Sequence, residues 1–201
     1  MYTELETVNY IIAQTGNLPI DDINDTLPES VAAKLRLNEA KVTCLKRGWW
    51  FNEDLGVKIE TDVDDKIPFP ANTMKVVRAS PCFLLIRSGF AYDPYEQTDT
   101  FPELDSVTVD LTMMLDWDDI PSSAQDYIRL LAAAKHVLIE LEDEKKHDRL
   151  MQEAGVAYAA MNKDDIQVKQ RNVAYNPKFI QTRGRVRPRQ ISGVNPNYPG
   201  G

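Results

Sequence analysis

Two histidines, His136 and His147, are the side chains best suited to acid–base or metal chemistry near neutral pH. They are eleven residues apart, which on one continuous helix separates them by roughly 16 Å along the axis. They therefore cannot bind one zinc ion together. The chain also lacks the GxxxxGKS/T, GxGxxG, GxSxG and HExxH motifs of phosphate loops, dinucleotide folds, hydrolases and zinc proteases. We predict that the protein is not an enzyme.

Acidic clusters are the next candidates for a metal site. Asp62, Asp64 and Asp65 begin like a calcium-binding loop, but Ile67 stands where that loop needs glycine, and Thr73 where it needs glutamate. A second acidic group fails in a similar way: Asp116, Asp118 and Asp119. We interpret both groups as loop carboxylates that precede a turn or a helix, and we predict no metal and no cofactor.

Composition is that of a globular protein, with 43% apolar and 27% charged residues in a chain of 201. This length suits one domain of ordinary size or two small ones. No apolar run approaches the ~20 residues that cross a bilayer, and the start of the chain lacks the features of a signal peptide. We therefore expect synthesis in a cytoplasm and no membrane partner. Cys44 and Cys82 are far apart and in no CxxC spacing, which favours reduced thiols.

The net charge of −8 is unevenly distributed along the chain. No acidic residue follows Asp165, whereas seven basic residues do, so removing those seven leaves −15 on residues 1–165. The candidate partner-binding residues of this basic segment are Lys178, Arg183, Arg185, Arg187 and Arg189. In an extended chain the four alternating arginines would project to one side.

Three interpretations of the basic segment remain open. It is a solvated tail, an arm that orders on a protein partner by strand addition or by pairing with acidic groups, or a nucleic-acid-binding segment. DNA binding as the main function is disfavoured, because a body at −15 repels phosphate.

Helical periodicity occurs on both sides of a central region. A capping box at Thr3 and Glu6 starts a first helix that Gly16 stops, and the same spacing at Thr26 and Glu29 precedes a second helix from about Pro28 to Arg47. We predict that its core face is Val31, Leu35, Val42 and Leu45, with Ala32 and Leu37 beside them. Beyond Pro121, Ser123 and Asp126 are expected to cap a third helix. Its predicted face is Tyr127, Leu130, Leu131, Ala134, Val137, Leu138 and Leu141. A fourth helix or a bend follows.

Residues from Trp49 to about Asp116 alternate with the period of β-strands instead. The clearest example is Val107, Val109, Leu111 and Met113, and other strands are expected around Val57, around Val76 and over Cys82–Ile86. Frequent prolines favour a small, mostly antiparallel sheet with long loops.

We therefore predict an α+β protein in which an antiparallel bundle of about four helices is interrupted by a β-domain. The bundle comprises residues 1–48 and 117–165, the inserted β-domain 49–116, and a basic extended C-terminal arm 166–201. Trp49 and Asp116 mark the two crossing points between bundle and sheet.

The segment Arg47-Gly48-Trp49-Trp50-Phe51-Asn52 is where helix changes to strand. A glycine after the last turn accepts the left-handed backbone that closes a helix. Adjacent bulky aromatics suit the two faces of a strand better than one stripe of a helix. We predict that Gly48, Trp49, Trp50 and Phe51 form an internal structural joint rather than a docking surface.

Together these features resemble tail tubular protein A, the family of head-to-tail adaptors of short-tailed bacteriophages. The resemblance lies in the helix from Glu4 to Thr15, in Arg47-Gly48-Trp49-Trp50-Phe51-Asn52, and in Asp118-Asp119-Ile120-Pro121 before the third helix. It spans roughly residues 3 to 165, and the Arg-Gly-Trp-x-Phe-Asn segment is its most specific part.

The resemblance implies a non-enzymatic virion component. It implies a homo-oligomeric ring, twelve-fold in this family, between the portal protein of the capsid and the tail nozzle protein, tail tubular protein B. Tail fibres are a further candidate partner, and DNA would leave through the lumen without specific binding. Helix faces left over after bundle packing would then contact adjacent subunits.

Overall fold

The computed structural model describes the backbone of residues 1–175 and the side chains of residues 1–170. Met1–Asp165 form one compact unit. Within residues 1–175 the chain forms four α-helices, a three-stranded antiparallel sheet and a two-stranded sheet, which confirms the α+β fold. The division into domains at residues 48/49 and 116/117 stays a prediction.

Helix α1, Glu4–Ala13, begins with the predicted capping box. The Glu6 backbone N–H donates to the Thr3 hydroxyl at 3.1 Å, and the Thr3 N–H donates to the Glu6 carboxylate at 2.8 Å. Both hydrogen bonds satisfy donors that the first turn would otherwise leave free. The buried face of α1 is Thr7, Val8, Ile11 and Ile12.

Helix α2, Pro28–Leu45, differs from the prediction in its cap and in its buried face. No side chain caps it, so the capping box at Thr26 and Glu29 is wrong; the Leu27 N–H bonds to the Asp25 carboxylate instead. The buried positions are Ser30, Ala33, Leu37, Ala40, Cys44 and Leu45. They are mostly small residues, so α2 and α3 can approach closely.

Three members of the predicted core face of α2 therefore lie in solvent. Val31 is 51% exposed, Leu35 50% and Val42 37%, whereas Leu37 and Leu45 of the predicted stripe are buried. The prediction was wrong for these three because the alanine-rich side of α2, not its bulky aliphatic side, fits against the equally alanine-rich α3.

Helix α3, Ser122–Leu141, is the central element of the helical core. Its N-cap is Pro121 and no side chain caps it, so the predicted cap at Ser123 and Asp126 is wrong; Asp126 pairs with Arg129 at 3.1 Å. Its buried residues are Ala124, Gln125, Ile128, Leu130, Leu131, Ala132, Ala133, Ala134, His136 and Val137. Leu138 and Leu141, predicted for the same face, are exposed in the last turn.

Helix α4, Glu144–Tyr175, follows after a short connection in which Glu142 has a left-handed backbone. It buries Leu150, Ala154 and Met161 in the helical core. Residues 166–175, expected to begin the extended arm, continue this helix. The helix continues because no proline or glycine interrupts that segment.

The three-stranded sheet has the order β1-β5-β2, with β1 at Glu53–Glu60, β2 at Thr73–Ser80 and β5 at Ser106–Met113. Both outer strands run antiparallel to β5, which pairs Val57 with Val109 and Val76 with Leu111. The alternating apolar residues of β5 are buried as predicted.

A hairpin of β3, Leu85–Arg87, and β4, Phe90–Tyr92, forms the second sheet. The strand predicted over Cys82–Ile86 thus begins only at Leu85. The two sheets share a second hydrophobic core, which includes Ile67, Leu84, Val109 and Leu111. Leu115 packs against both cores.

Replacing Thr3 with alanine should remove the cap of α1. We expect a loss of about 1 kcal/mol of unfolding free energy, seen as a melting temperature lower by roughly 2–4 °C. Thr26→Ala is the matched control, because Thr26 does not cap α2 and its replacement should change the melting temperature little. Equal effects of the two substitutions would contradict this account of the caps.

Candidate functional site

The described residues contain no group of three or more His, Cys, Asp or Glu side chains that could hold a metal ion. His136 is buried, and its ring nitrogens have no hydrogen-bond partner within residues 1–170. Burial lowers its pKa, so it is neutral at pH 7. His147 instead bonds to the Ala134 carbonyl at 3.0 Å. Burial also raises the pKa of the Cys44 thiol to about 12, which makes that thiol unreactive.

Several specific contacts lie where α2 meets the sheet. Gly48 follows α2 with φ +84°, a conformation that side chains rarely adopt. A Cβ atom there would lie 2.5 Å from the Glu53 carboxylate oxygen. The chain turns at Gly48 because glycine permits this dihedral angle, and a larger residue would also displace the Glu53 carboxylate.

Asn52 joins three parts of the chain through its side-chain amide. Its Oδ1 accepts from the Trp49 backbone N–H at 2.8 Å. Its Nδ2 donates to the Leu45 carbonyl at 2.9 Å and to the Met113 carbonyl at 2.8 Å. The Met113 N–H donates in turn to the Asn52 carbonyl at 2.8 Å. The end of α2, the aromatic segment and the end of β5 are therefore held by one buried residue.

Trp49 is fully buried in the helical core. Its indole N–H donates to the Cys44 carbonyl at 2.9 Å, and its ring meets Tyr158 of α4 edge to face with centroids 5.9 Å apart. The Arg47 guanidinium lies 4.6 Å from the Trp49 ring centroid and 5.4 Å from that of Tyr158. This cation–π contact covers the aromatic pair from the solvent side.

Trp50 and Phe51 are partly buried against the same core, with their rings edge to face at 4.8 Å. The Trp50 N–H donates to the Asp165 carboxylate on α4 at 3.0 Å. The structure thus places Gly48, Trp49, Trp50 and Phe51 together. Their role as a joint stays a prediction, which these internal contacts support.

A second buried amide, that of Gln125, lies beside Trp117, next to the second predicted boundary between sheet and bundle. The buried Gln125 donates from Nε2 to the Trp117 carbonyl at 3.0 Å and accepts from the Tyr2 N–H at 3.1 Å. The Trp117 indole N–H donates to the Tyr2 carbonyl at 2.8 Å. The sequence places Asn52 at the end of the Arg-Gly-Trp-x-Phe-Asn segment, but it does not identify Asn52 or Gln125 as the centre of a hydrogen-bond network. The available signal was a tryptophan with an amide residue three or eight positions later.

A family model described as Tail tubular protein matches residues 5–176. The chain belongs to the tail tubular protein family. It is therefore a structural component of a phage tail, located in the virion tail among other tail proteins, and its family is not a family of enzymes. No curated protein matches the chain. The match confirms the resemblance found in the sequence.

The family match ends near the last described residues. The predicted partner-binding residues, Lys178, Arg183, Arg185, Arg187 and Arg189, lie beyond residue 176 and outside the described residues. No described helix of this tail tubular protein is long and apolar enough to cross a membrane.

Replacing Asn52 with alanine should leave the Trp49 N–H and the Leu45 and Met113 carbonyls without their buried partner. We expect a loss of about 2–4 kcal/mol of unfolding free energy in urea titrations. Asn72→Ala is the matched control, because the exposed Asn72 amide makes a single bond to the Met114 carbonyl and water can replace it. A loss below about 1 kcal/mol for Asn52→Ala would contradict the central role of this amide.

Proposed function

We propose that this protein is a ring-forming head-to-tail adaptor without catalytic activity. It joins the portal protein to the tail nozzle protein and encloses the channel through which DNA leaves. The observation that carries the proposal is the tail tubular family match over residues 5–176. The ring is a dodecamer in the virion, built from copies made in the host cytoplasm, and tail fibres are a further candidate partner.

The charge distribution supports a channel that does not bind DNA. Residues 1–165 carry −15, and a phosphate backbone passing an acidic wall meets repulsion rather than a binding site. Such a wall lets DNA leave without being held. This is consistent with a lumen that DNA crosses without specific contacts.

The basic C-terminal segment supplies the opposite charge. Its seven basic residues, with no acidic ones, suit an arm that reaches an acidic surface of the portal or of a neighbouring subunit. We assign it the role of a clasp between components of the tail.

Deleting residues 176–201 tests the clasp. Because the arginines of the arm would provide the contacts to the portal or neighbour, we expect the truncated protein to lose attachment to portal particles in sedimentation assays. A full-length variant with Arg183, Arg185, Arg187 and Arg189 changed to glutamine separates the effect of charge from that of length. Unchanged attachment of the truncated protein would refute the role of the arm.

A nucleic-acid-binding module is the second candidate function, favoured by the same basic segment. If the arm makes about four phosphate contacts, log K for duplex DNA should fall with log salt with a slope of roughly −4. Fluorescence anisotropy between low and moderate salt measures this slope. We expect no measurable binding even at low salt, because the acidic body repels DNA. A steep slope with tight low-salt binding would favour the module over the adaptor.

A further inference from the structure

A short turn after β1 holds one apolar side chain almost wholly in solvent. We define the 62–66 turn as Asp62-Val63-Asp64-Asp65-Lys66. Val63 is 99% exposed, more than any other large apolar side chain of residues 1–170. The Asp62 carboxylate accepts from the Asp64 and Lys66 N–H groups at 2.9 and 2.8 Å. These bonds fix the turn, so that little entropy is lost when Val63 enters a partner.

The charge of the 62–66 turn is negative. Asp62, Asp64 and Asp65 supply three carboxylates, and the one lysine of the turn, Lys66, pairs with Asp99 at 2.8 Å. The hydrogen bond and charge of Asp99, and the charges of Asp64 and Asp62, raise the pKa of Lys66. A surface that receives this turn therefore needs an apolar hollow with basic side chains beside it.

A groove of this kind lies between β2 and β3. We define the β2–β3 groove by its lining, residues 74–76 and 84–87, which enclose about 260 Å³. Five of these seven residues are apolar, and the two charged ones, Lys75 and Arg87, are both basic. Lys75 donates to the Arg47 carbonyl at 3.1 Å, and Arg87 lies 3.4 Å from the Tyr92 ring centroid. Neither the carbonyl nor the ring carries a formal charge that would neutralise them.

The turn and the groove lie on opposite sides of the β3–β4 hairpin. Residues 67–69, which follow the turn, bond to β4: the Ala91 N–H donates to the Ile67 carbonyl and the Phe69 N–H to the Gly89 carbonyl, at 2.9 Å each. Strand β4 also pairs with β3, and β3 borders the groove. Two strands thus separate the turn from the groove of its own subunit. Matching surfaces at separate places can form a head-to-tail contact, which makes a ring if the rotation closes.

We propose that the 62–66 turn of one subunit enters the β2–β3 groove of the next copy of this chain. Val63 then lies among the apolar side chains of the groove. The carboxylates of Asp64 and Asp65 lie beside Lys75 and Arg87. The inference rests on the proposed ring and names one contact that builds it.

The lining of the groove disfavours two other occupants. The C-terminal segment is basic and would meet Lys75 and Arg87 with like charge. A DNA phosphate would be attracted by these two residues, but the five apolar ones would remove it from water without offering it a hydrogen bond. The 62–66 turn instead combines an apolar side chain with carboxylates.

Cysteine crosslinking tests the contact. In a Cys82→Ser background, which removes the partly exposed native thiol, Val63→Cys protein is mixed with Leu85→Cys protein, assembled into tail particles and oxidised. We expect a disulfide-linked dimer from the mixture and little from either protein alone. Val156→Cys, at a position of α4 that is 74% exposed, replaces Val63→Cys in the matched control and should give no dimer.

The outcomes separate the contact from the ring. Rings that form without a crosslink between Val63→Cys and Leu85→Cys would overturn the contact and leave the adaptor standing. A crosslink between two Val63→Cys chains would replace it with a symmetric contact. Particles that contain only single copies of the chain would overturn both the contact and the proposed ring.

Charge reversal on both surfaces supplies a readout that a folding defect cannot mimic. Asp64→Lys and Arg87→Glu should each lower the association constant between subunits by about 10-fold in sedimentation experiments, since each brings like charges together. Combined in one chain, they restore opposite charges, and association should return to within about 3-fold of the original. Asp21→Lys, at an exposed position between α1 and α2, is the control and should leave association unchanged. A double variant that associates no better than the weaker single one would contradict the contact.

Discussion

The amide of Asn52 is the interaction on which the arrangement of helices and sheet most depends. It is buried, and it satisfies one N–H and two carbonyls that belong to three different parts of the chain. Buried polar groups of this kind are costly to leave unpaired, so the amide permits only one relation between the end of α2 and the end of β5. Trp49 and Tyr158 then fill the space that this relation leaves, and Arg47 covers them.

A second constraint is the close packing of α2 against α3. The two helices contact each other, and both bury alanines, Ala33 and Ala40 in α2 and Ala132 to Ala134 in α3. Small side chains bring helix axes together, and the bulky aliphatic residues of α2 are then directed outward. The exposure of Val31, Leu35 and Val42 is thus a consequence of how the bundle packs.

The histidines and the Cys44 thiol of the described residues lie in the core or bond to the backbone. His136 is buried with a lowered pKa, and Cys44 is a buried thiol with a raised pKa. The buried Asn52 amide forms its hydrogen bonds with backbone groups. This amide connects the two cores of this tail protein, through the Leu45 and Met113 carbonyls. The acidic residues 1–165 and the basic C-terminal segment differ strongly in charge.

The sequence alone determined most of the helices and strands, because their signals are local. The capping box at Thr3, the alternation along β5 and the stop at Gly48 each depend on neighbours within a few residues, and the Arg-Gly-Trp-x-Phe-Asn segment pointed to the family. Only the tertiary structure decided which side of α2 is buried, since that choice depends on how closely α3 can approach. The same holds for the partners of Asn52 and Gln125. The hydrogen bond between Asn52 and Met113 joins residues 61 positions apart, and no local sequence pattern predicts such a bond.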